Sequence, residues 1–379
     1  MFAALICLLK PPQAIGSSVD EQRPNWFLVL TLLTLTVPNA VIAGVAGNDA
    51  FLYWVAMMLT LLSSATILST IGLRGIFKAF LWANLFGMAA LLFWGFDELL
   101  SLMSNKGRFS IGFFHFNLLA FLLGGSIGIQ IWALFSASRH WRVAIWMGII
   151  LSFGITFMTS SRGSLVAIIV ASATTLALMR LRNRSAKSIG RQTINLGLTL
   201  LLFVPFLALD VVQNELLVPI GTYLDTALEL SSPMRGLDSG LSGRLDAWSW
   251  MTESLLKGIW LYGEGFRASD LIEFPIDNGY LVVLYDLGLA TSVVIVGKYI
   301  LTAVDFGRGI VEAPTKDELG LCVGAFFCLV CFLVNNIVAR YLFGIGNPFS
   351  LLAIFLLISK GRRYRTSMGR IGSIEYARP

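Results

Sequence analysis

The chain has 379 residues, 56% hydrophobic and only 13% charged, with a formal net charge of +6 and a mean hydropathy of +0.77. A soluble domain carries about 25% charged residues, so this composition excludes an ordinary water-soluble globule. The basic excess does not point to nucleic acid, because the lysines and arginines sit between apolar runs rather than on a polar domain.

A helix needs about 20 mainly apolar residues to cross a ~30 Å hydrocarbon core. Runs of about this length occupy 26–46, 51–70, 77–96, 112–135, 141–159, 163–180, 193–212, 278–304, 319–338 and 341–359. None shows the apolar/polar alternation of an outer-membrane barrel strand. The fold class is therefore all-α, a polytopic transmembrane bundle of about ten spans with one large extracytoplasmic loop containing amphipathic helices. Residues 1–9 are apolar but too short to span, and without a small-residue cleavage site they do not read as a signal peptide. Three regions follow: 1–212 with about seven spans, the loop 213–277, and 278–379 with about three spans and a basic tail.

Charge sets the orientation. The link after the sixth run carries Arg180, Arg182, Arg184, Lys187 and Arg191 with no acid, which predicts a cytoplasmic location. Counting outward from it, Arg74 and Lys78, Arg139 and Arg142, and the tail with Lys360, Arg362, Arg363, Arg365 and Arg370 fall on the same side. Both termini are then cytoplasmic. Asn48 and Asp49 fall outside, as does 213–277, whose ten acids outnumber its four bases. Arg162 and Arg340 break the rule. Each sits at an outer span boundary, where an arginine is either a snorkelling headgroup contact or a guanidinium aimed at an anion.

Cysteine adds little chemistry. Cys328 and Cys331 form a CxxC with Cys322 nearby, all inside the ninth run, where small packing residues are expected rather than a redox pair. The loop 213–277 has no cysteine, hence no disulfide framework.

Within that loop, SGRLDAWSWMTESLLKG (242–258) has Leu245, Trp248, Met251 or Thr252, and Leu255 at helical spacing, with Ser242 as N-cap and Gly258 as stop. Trp248 and Trp250 suit a membrane interface. Arg244 in the first turn adds positive charge to a helix end that already favours anions, or else pairs with Asp238 or Asp246. Downstream, Asp277-Asn278-Gly279 precedes the eighth run, where Asp277 reads as a general base or as a helix N-cap. His115 lies near the outer end of the fourth run and reads first as a packed, hydrogen-bonded histidine.

Three features together resemble the superfamily of O-antigen ligases and Wzy-type polysaccharide polymerases. They are Ser161-Arg162-Gly163 opening a span, Ser242-Gly243-Arg244 with Trp248 opening an outer helix, and Asp277-Asn278-Gly279-Tyr280 followed by Asp286-Leu287-Gly288-Leu289. The likeness covers about residues 140–300. It implies a GT-C membrane glycosyltransferase of the bacterial inner membrane, with its active site on the periplasmic face and neither metal nor cofactor. The donor would be a glycan on undecaprenyl pyrophosphate and the acceptor a second lipid-linked unit. A flippase and a chain-length regulator would be partners.

By the same resemblance Arg162 and Arg244 serve the pyrophosphate, with Arg267 and Arg340 as further candidates. The base is Asp277, Glu264 or His115, and Asn278 and Trp248 complete the substrate-binding set. Ligases typically carry His-Asn where this chain has Asp277-Asn278. That departure favours polymerisation of repeat units over the alternative, transfer to lipid A–core. A secondary transporter is a further alternative; it predicts inverted repeats, and Pro38, Pro205 and Pro348 interrupt the runs without defining matching halves.

Overall fold

In lipid, a spanning segment must satisfy its backbone hydrogen bonds internally, which is why apolar runs of this length fold as helices. The structure, a computed structural model, describes residues 24–41, 47–94, 116–159, 161–183, 244–254, 261–272 and 276–359. Among these residues every regular element is a helix, apart from an isolated antiparallel bridge between Pro24 and Ser359. The helices are α1 (Trp26–Val41), α2 (Gly47–Trp94), α3 (Phe116–Ser136), α4 (Arg139–Met158), α5 (Arg162–Asn183), α6 (Arg244–Ser254), α7 (Gly279–Glu312), α8 (Lys316–Asn335) and α9 (Pro348–Ile358).

Six of them, α2 to α5 with α7 and α8, contain stretches long and apolar enough to cross a membrane. α1 and α9 are apolar but have only 16 and 11 residues. The tenth run therefore yields a shorter helix than its apolarity predicts. Asn347 accepts from the N–H groups of Phe349 and Ser350, and Pro348 stands in the first turn, so α9 starts there and not at 341. The seventh run, 193–212, lies outside the described residues, as do His115, the Ser242 cap, the Gly258 stop and the basic stretches 184–191 and 360–379.

At 48 residues α2 would be about 72 Å long if straight, more than twice the hydrocarbon thickness. It is broken at Gly72, which has φ 65° and ψ 171°, between the second and third apolar runs. A residue with a side chain rarely adopts that conformation, so glycine marks the break.

The packing centre is α8, which lies antiparallel to α3. Gly124 meets Cys331, Gly128 meets Cys328, Gly324 meets Trp132, and Gly320 meets Phe135. Added Cβ atoms at Gly124 and Gly324 would stand 2.8 Å from the Cys331 Sγ and 2.5 Å from the Trp132 Cβ. Small residues let the helix backbones approach where lipid supplies no hydrophobic drive. Cys328 and Cys331 are fully buried free thiols in this seam, filling space as the sequence reading expects.

The bundle has two distinct ends. At one, α8 finishes beside the starts of α5 and α7: the Asn335 amide donates to Ser164 Oγ (3.0 Å) and the Gly279 N–H to Asn336 O (2.8 Å). At the other, Arg182 near the end of α5 donates to Ile310 O (3.0 Å) and Ala313 O (2.8 Å) at the end of α7. The Asn25 N–H reaches Ile358 O there, where α1 begins and α9 finishes.

Candidate functional site

The site begins with a second helix break. α7 is interrupted at Gly288, at φ 77° and ψ 174°, two residues after Asp286. The break takes the following turn away from the carbonyls of Tyr285 and Asp286, which then need other donors. The segment 261–265 supplies them: the Glu264 N–H donates to Tyr285 O (2.8 Å) and the Gly265 N–H to Asp286 O (3.1 Å). From α1, the Asn39 side chain donates to Tyr262 O and to Asp286 O, the latter at 3.2 Å. The two backbones touch. A Cβ at Gly263 would stand 2.6 Å from Asp286 O, and one at Gly288 would stand 2.5 Å from the Tyr262 carbonyl carbon.

The Asp286 side chain extends this docking. It is buried, at 7% exposure, and its Oδ1 accepts from the Ser269 N–H (2.8 Å) while its Oδ2 accepts from Ser269 Oγ (3.1 Å). A buried carboxylate is tolerated when hydrogen bonds replace its hydration. Ser269 belongs to a short 3-10 turn, Ala268–Leu271, and its neighbour Asp270 points at two cations. Asp270 Oδ2 pairs with Arg267 Nε, and Oδ1 accepts from Arg340 Nη1 at 3.2 Å. One arginine comes from the docked segment and the other from the turn after α8.

Arg267 also has φ 60° and ψ 19°, the only non-glycine residue with positive φ among those described. A left-handed residue bearing a side chain costs about 1–2 kcal/mol, so its surroundings must hold it there. They do so through the Asp270 pair and through the Tyr53 ring of α2, 4.2 Å from the guanidinium carbon.

These groups border a cavity of about 580 Å³, within the range of small-molecule sites. Arg267, Asp270, Arg340, Ser269, Asp286, Tyr53 and Tyr341 line it with the apolar Leu118, Leu122, Phe266, Val283 and Phe343, and the Asn347–Pro348 start of α9 closes one side. The Tyr341 phenol is held above its ordinary pKa, chiefly by burial; Arg340 opposes the shift and Asp277 adds to it.

Of the residues singled out from sequence, the cavity gathers Arg267 and Arg340. Arg162 is the half-buried first residue of α5, at the same end of the bundle; its neighbour Gly163 packs on Val338, two residues before Arg340. Arg244 is the first residue of α6, which docks on α7 through Met251, packed with Ile276. Met251 is fully buried and Thr252 exposed, so the first of the two alternatives faces inward. Trp248 packs in the same cluster with its indole N–H buried and without a hydrogen-bond partner.

Asn278, not Asp277, caps α7, accepting from the N–H groups of Tyr280 and Leu281 at 3.1 Å. Its carbonyl oxygen is thereby engaged in holding the helix start. Glu264 is half-buried in the docked segment. Neither Arg162 nor Asp277 is among the described residues lining the cavity.

Sequence reasoning overlooked Asp270, Ser269, Tyr53 and Asn39. The available signal was the pair Gly263 and Gly288, whose close contact brings the segment 261–272 to α7. No protein-family model and no curated protein matches the chain. Chemically, the cavity offers two guanidiniums, one carboxylate between them, a second buried carboxylate and a broad apolar wall.

Proposed function

We propose that this chain is a membrane glycosyltransferase that polymerises undecaprenyl-pyrophosphate-linked oligosaccharide repeat units into a surface polysaccharide on the outer face of the bacterial inner membrane. The observation that carries this reading is the convergence of Arg267 and Arg340 at a cavity that also has a broad apolar wall. A polyprenyl diphosphate sugar needs that combination: cations for the diphosphate and an apolar surface for the adjoining lipid.

In the reaction, the acceptor hydroxyl forms a bond to the anomeric carbon of the donor while the bond from that carbon to the pyrophosphate oxygen breaks. Negative charge grows on the departing pyrophosphate, where bidentate guanidinium donors stabilise it most. A carboxylate receives the hydroxyl proton, and the candidate is Asp277, two residues before the Gly279 that packs against Leu342 and Ala339. Arg162 and Arg244, the arginines of the family-like motifs, are assigned to neighbouring parts of the same long substrate. The expectation that the basic residues following Arg182 in the sequence are cytoplasmic supports reading the cavity, at the opposite end of α5 and α7, as outward-facing.

The test replaces Arg340 and Arg267 singly and together with Ala and follows lipid-linked glycans. Loss of one transition-state donor typically costs about 100-fold in rate, so polymer should vanish from the double variant and single lipid-linked repeats should accumulate. Full-length polymer in that variant, at normal membrane levels of the protein, would sink the assignment. Full-length chains stranded on the carrier would instead indicate transfer to lipid A–core.

A further inference from the structure

Two guanidiniums from separate segments meet on a single carboxylate at the border of a largely apolar cavity. The Asp270 side chain is 27% exposed and those of Arg267 and Arg340 are 49% and 40% exposed, so water reaches all three. Ion pairs this accessible are weak and are readily replaced by a better-matched anion. The rest of the segment is held independently of them. Its backbone bonds to Tyr285 and Asp286, and Ser269 is fixed by the buried Asp286 carboxylate, so Asp270 can release its cations without the segment leaving α7.

We propose that Asp270 is a resident stand-in for the oxyanion of the ligand: it pairs with both Arg267 and Arg340, and an incoming phosphate or carboxylate displaces it. Several features of the site follow. The arginines stay oriented without substrate, because a bound counter-ion keeps both side chains from collapsing onto other carbonyls. The Tyr53 ring also holds Arg267, lying 4.2 Å from its guanidinium carbon, without taking up any of its N–H donors in a conventional hydrogen bond. A ligand with three or more acceptor oxygens on its anionic groups has the advantage over Asp270, since it can engage the guanidiniums in paired hydrogen bonds while Asp270 gives one oxygen to each. Asp270 thus sets a threshold: weakly charged glycans are refused and a diphosphate or a strongly acidic group enters.

This inference deepens the proposed function by naming the chemistry of the ligand at that site, but it is read by binding alone. It can therefore fail while the glycosyltransferase reading stands, or hold while that reading fails. The experiment uses the full chain in detergent with two probes, inorganic pyrophosphate and glucuronate, measured by calorimetry. Asp270→Asn should bind pyrophosphate at least about fivefold more tightly than the unaltered protein, and Arg340→Ala should bind it at least tenfold more weakly. Affinity in Asp270→Asn equal to or below that of the unaltered protein would overturn the proposal.

The two probes separate the possible sources of the anion. A preference for pyrophosphate assigns the site to the lipid-linked donor, and a preference for glucuronate assigns it to an acidic sugar of the glycan; either is compatible with displacement, and binding of neither overturns it. A measurement on the unaltered protein guards against misfolding of the variants. Carbodiimide labelling of Asp270, read by peptide mass, should rise when methylenediphosphonate saturates the cavity, because the carboxylate is released. Unchanged or reduced labelling at saturation would contradict displacement.

Discussion

Arginine does different work at the two ends of this bundle. Arg182 ends on the carbonyl oxygens of Ile310 and Ala313, where a finishing helix has acceptors without intrahelical donors and a partial negative charge. Its hydrogen bonds join α5 to α7 and leave little for a ligand to gain. Arg267 and Arg340 instead share one half-exposed carboxylate at the edge of a cavity, and one of them keeps a left-handed backbone to do so. The first arrangement fastens helices. The second holds cations in place with a partner that can be exchanged. The difference lies in what the guanidinium meets, a fixed backbone oxygen or a replaceable side chain, rather than in burial alone.

That contrast can be broken at its foundation by Gly288→Ala. The new Cβ would collide with the Leu261–Gly263 backbone at a residue whose positive φ already disfavours a side chain. We expect a loss of roughly 3 kcal/mol or more and a detached segment 261–272, seen as rapid trypsin cleavage after Arg267. Full protease resistance together with an unchanged melting temperature would mean the docking is not set by this contact.

Asp286→Ala comes next. It leaves the Ser269 N–H and hydroxyl without their acceptors in a buried setting, a cost of about 1–3 kcal/mol. The same cleavage assay should show intermediate exposure, with Asp286→Asn milder because its carbonyl oxygen still accepts one of the two bonds. Equal behaviour of the Ala and Asn variants would remove the latch.

Smaller still is the paired comparison that sharpens the contrast. Arg182→Ala should lower the melting temperature by the equivalent of about 1–2 kcal/mol and leave polymer formation intact, since it removes two charge-assisted bonds to backbone. Arg340→Ala should change stability by less than about 1 kcal/mol, as for other exposed ion pairs, while the rate of polymer formation falls about 100-fold. Reversal of that pattern would erase the distinction between the two ends.

Much of the bundle was legible before any coordinates. The runs at 112–135, 141–159, 163–180 and 319–338 correspond to α3, α4, α5 and α8, because twenty apolar residues in lipid have few options besides a helix. The boundary between the runs 51–70 and 77–96 holds the Gly72 break. Less was legible at the site. Arg340 was recognisable as a cation out of place and Arg267 only as a further candidate through the family resemblance, yet they are 73 positions apart in the chain (340 − 267), and no periodicity links them. Asp270 and Ser269 lie in a stretch with no repeating pattern, so nothing local marks them. The capping oxygen before α7 comes from Asn278 rather than Asp277, a choice of one residue that depends on where the helix starts against Asn336.

Sequence by itself determined that the chain is apolar helical matter, where most of its helices run, and which cations defy the charge rule, because transfer into lipid acts on composition and length. Only the tertiary structure decided which cations meet. Two glycines let the backbones at 263 and 288 touch, the broken helix presented carbonyls to be satisfied, and the segment that satisfied them carried Asp270 and Arg267 to Arg340.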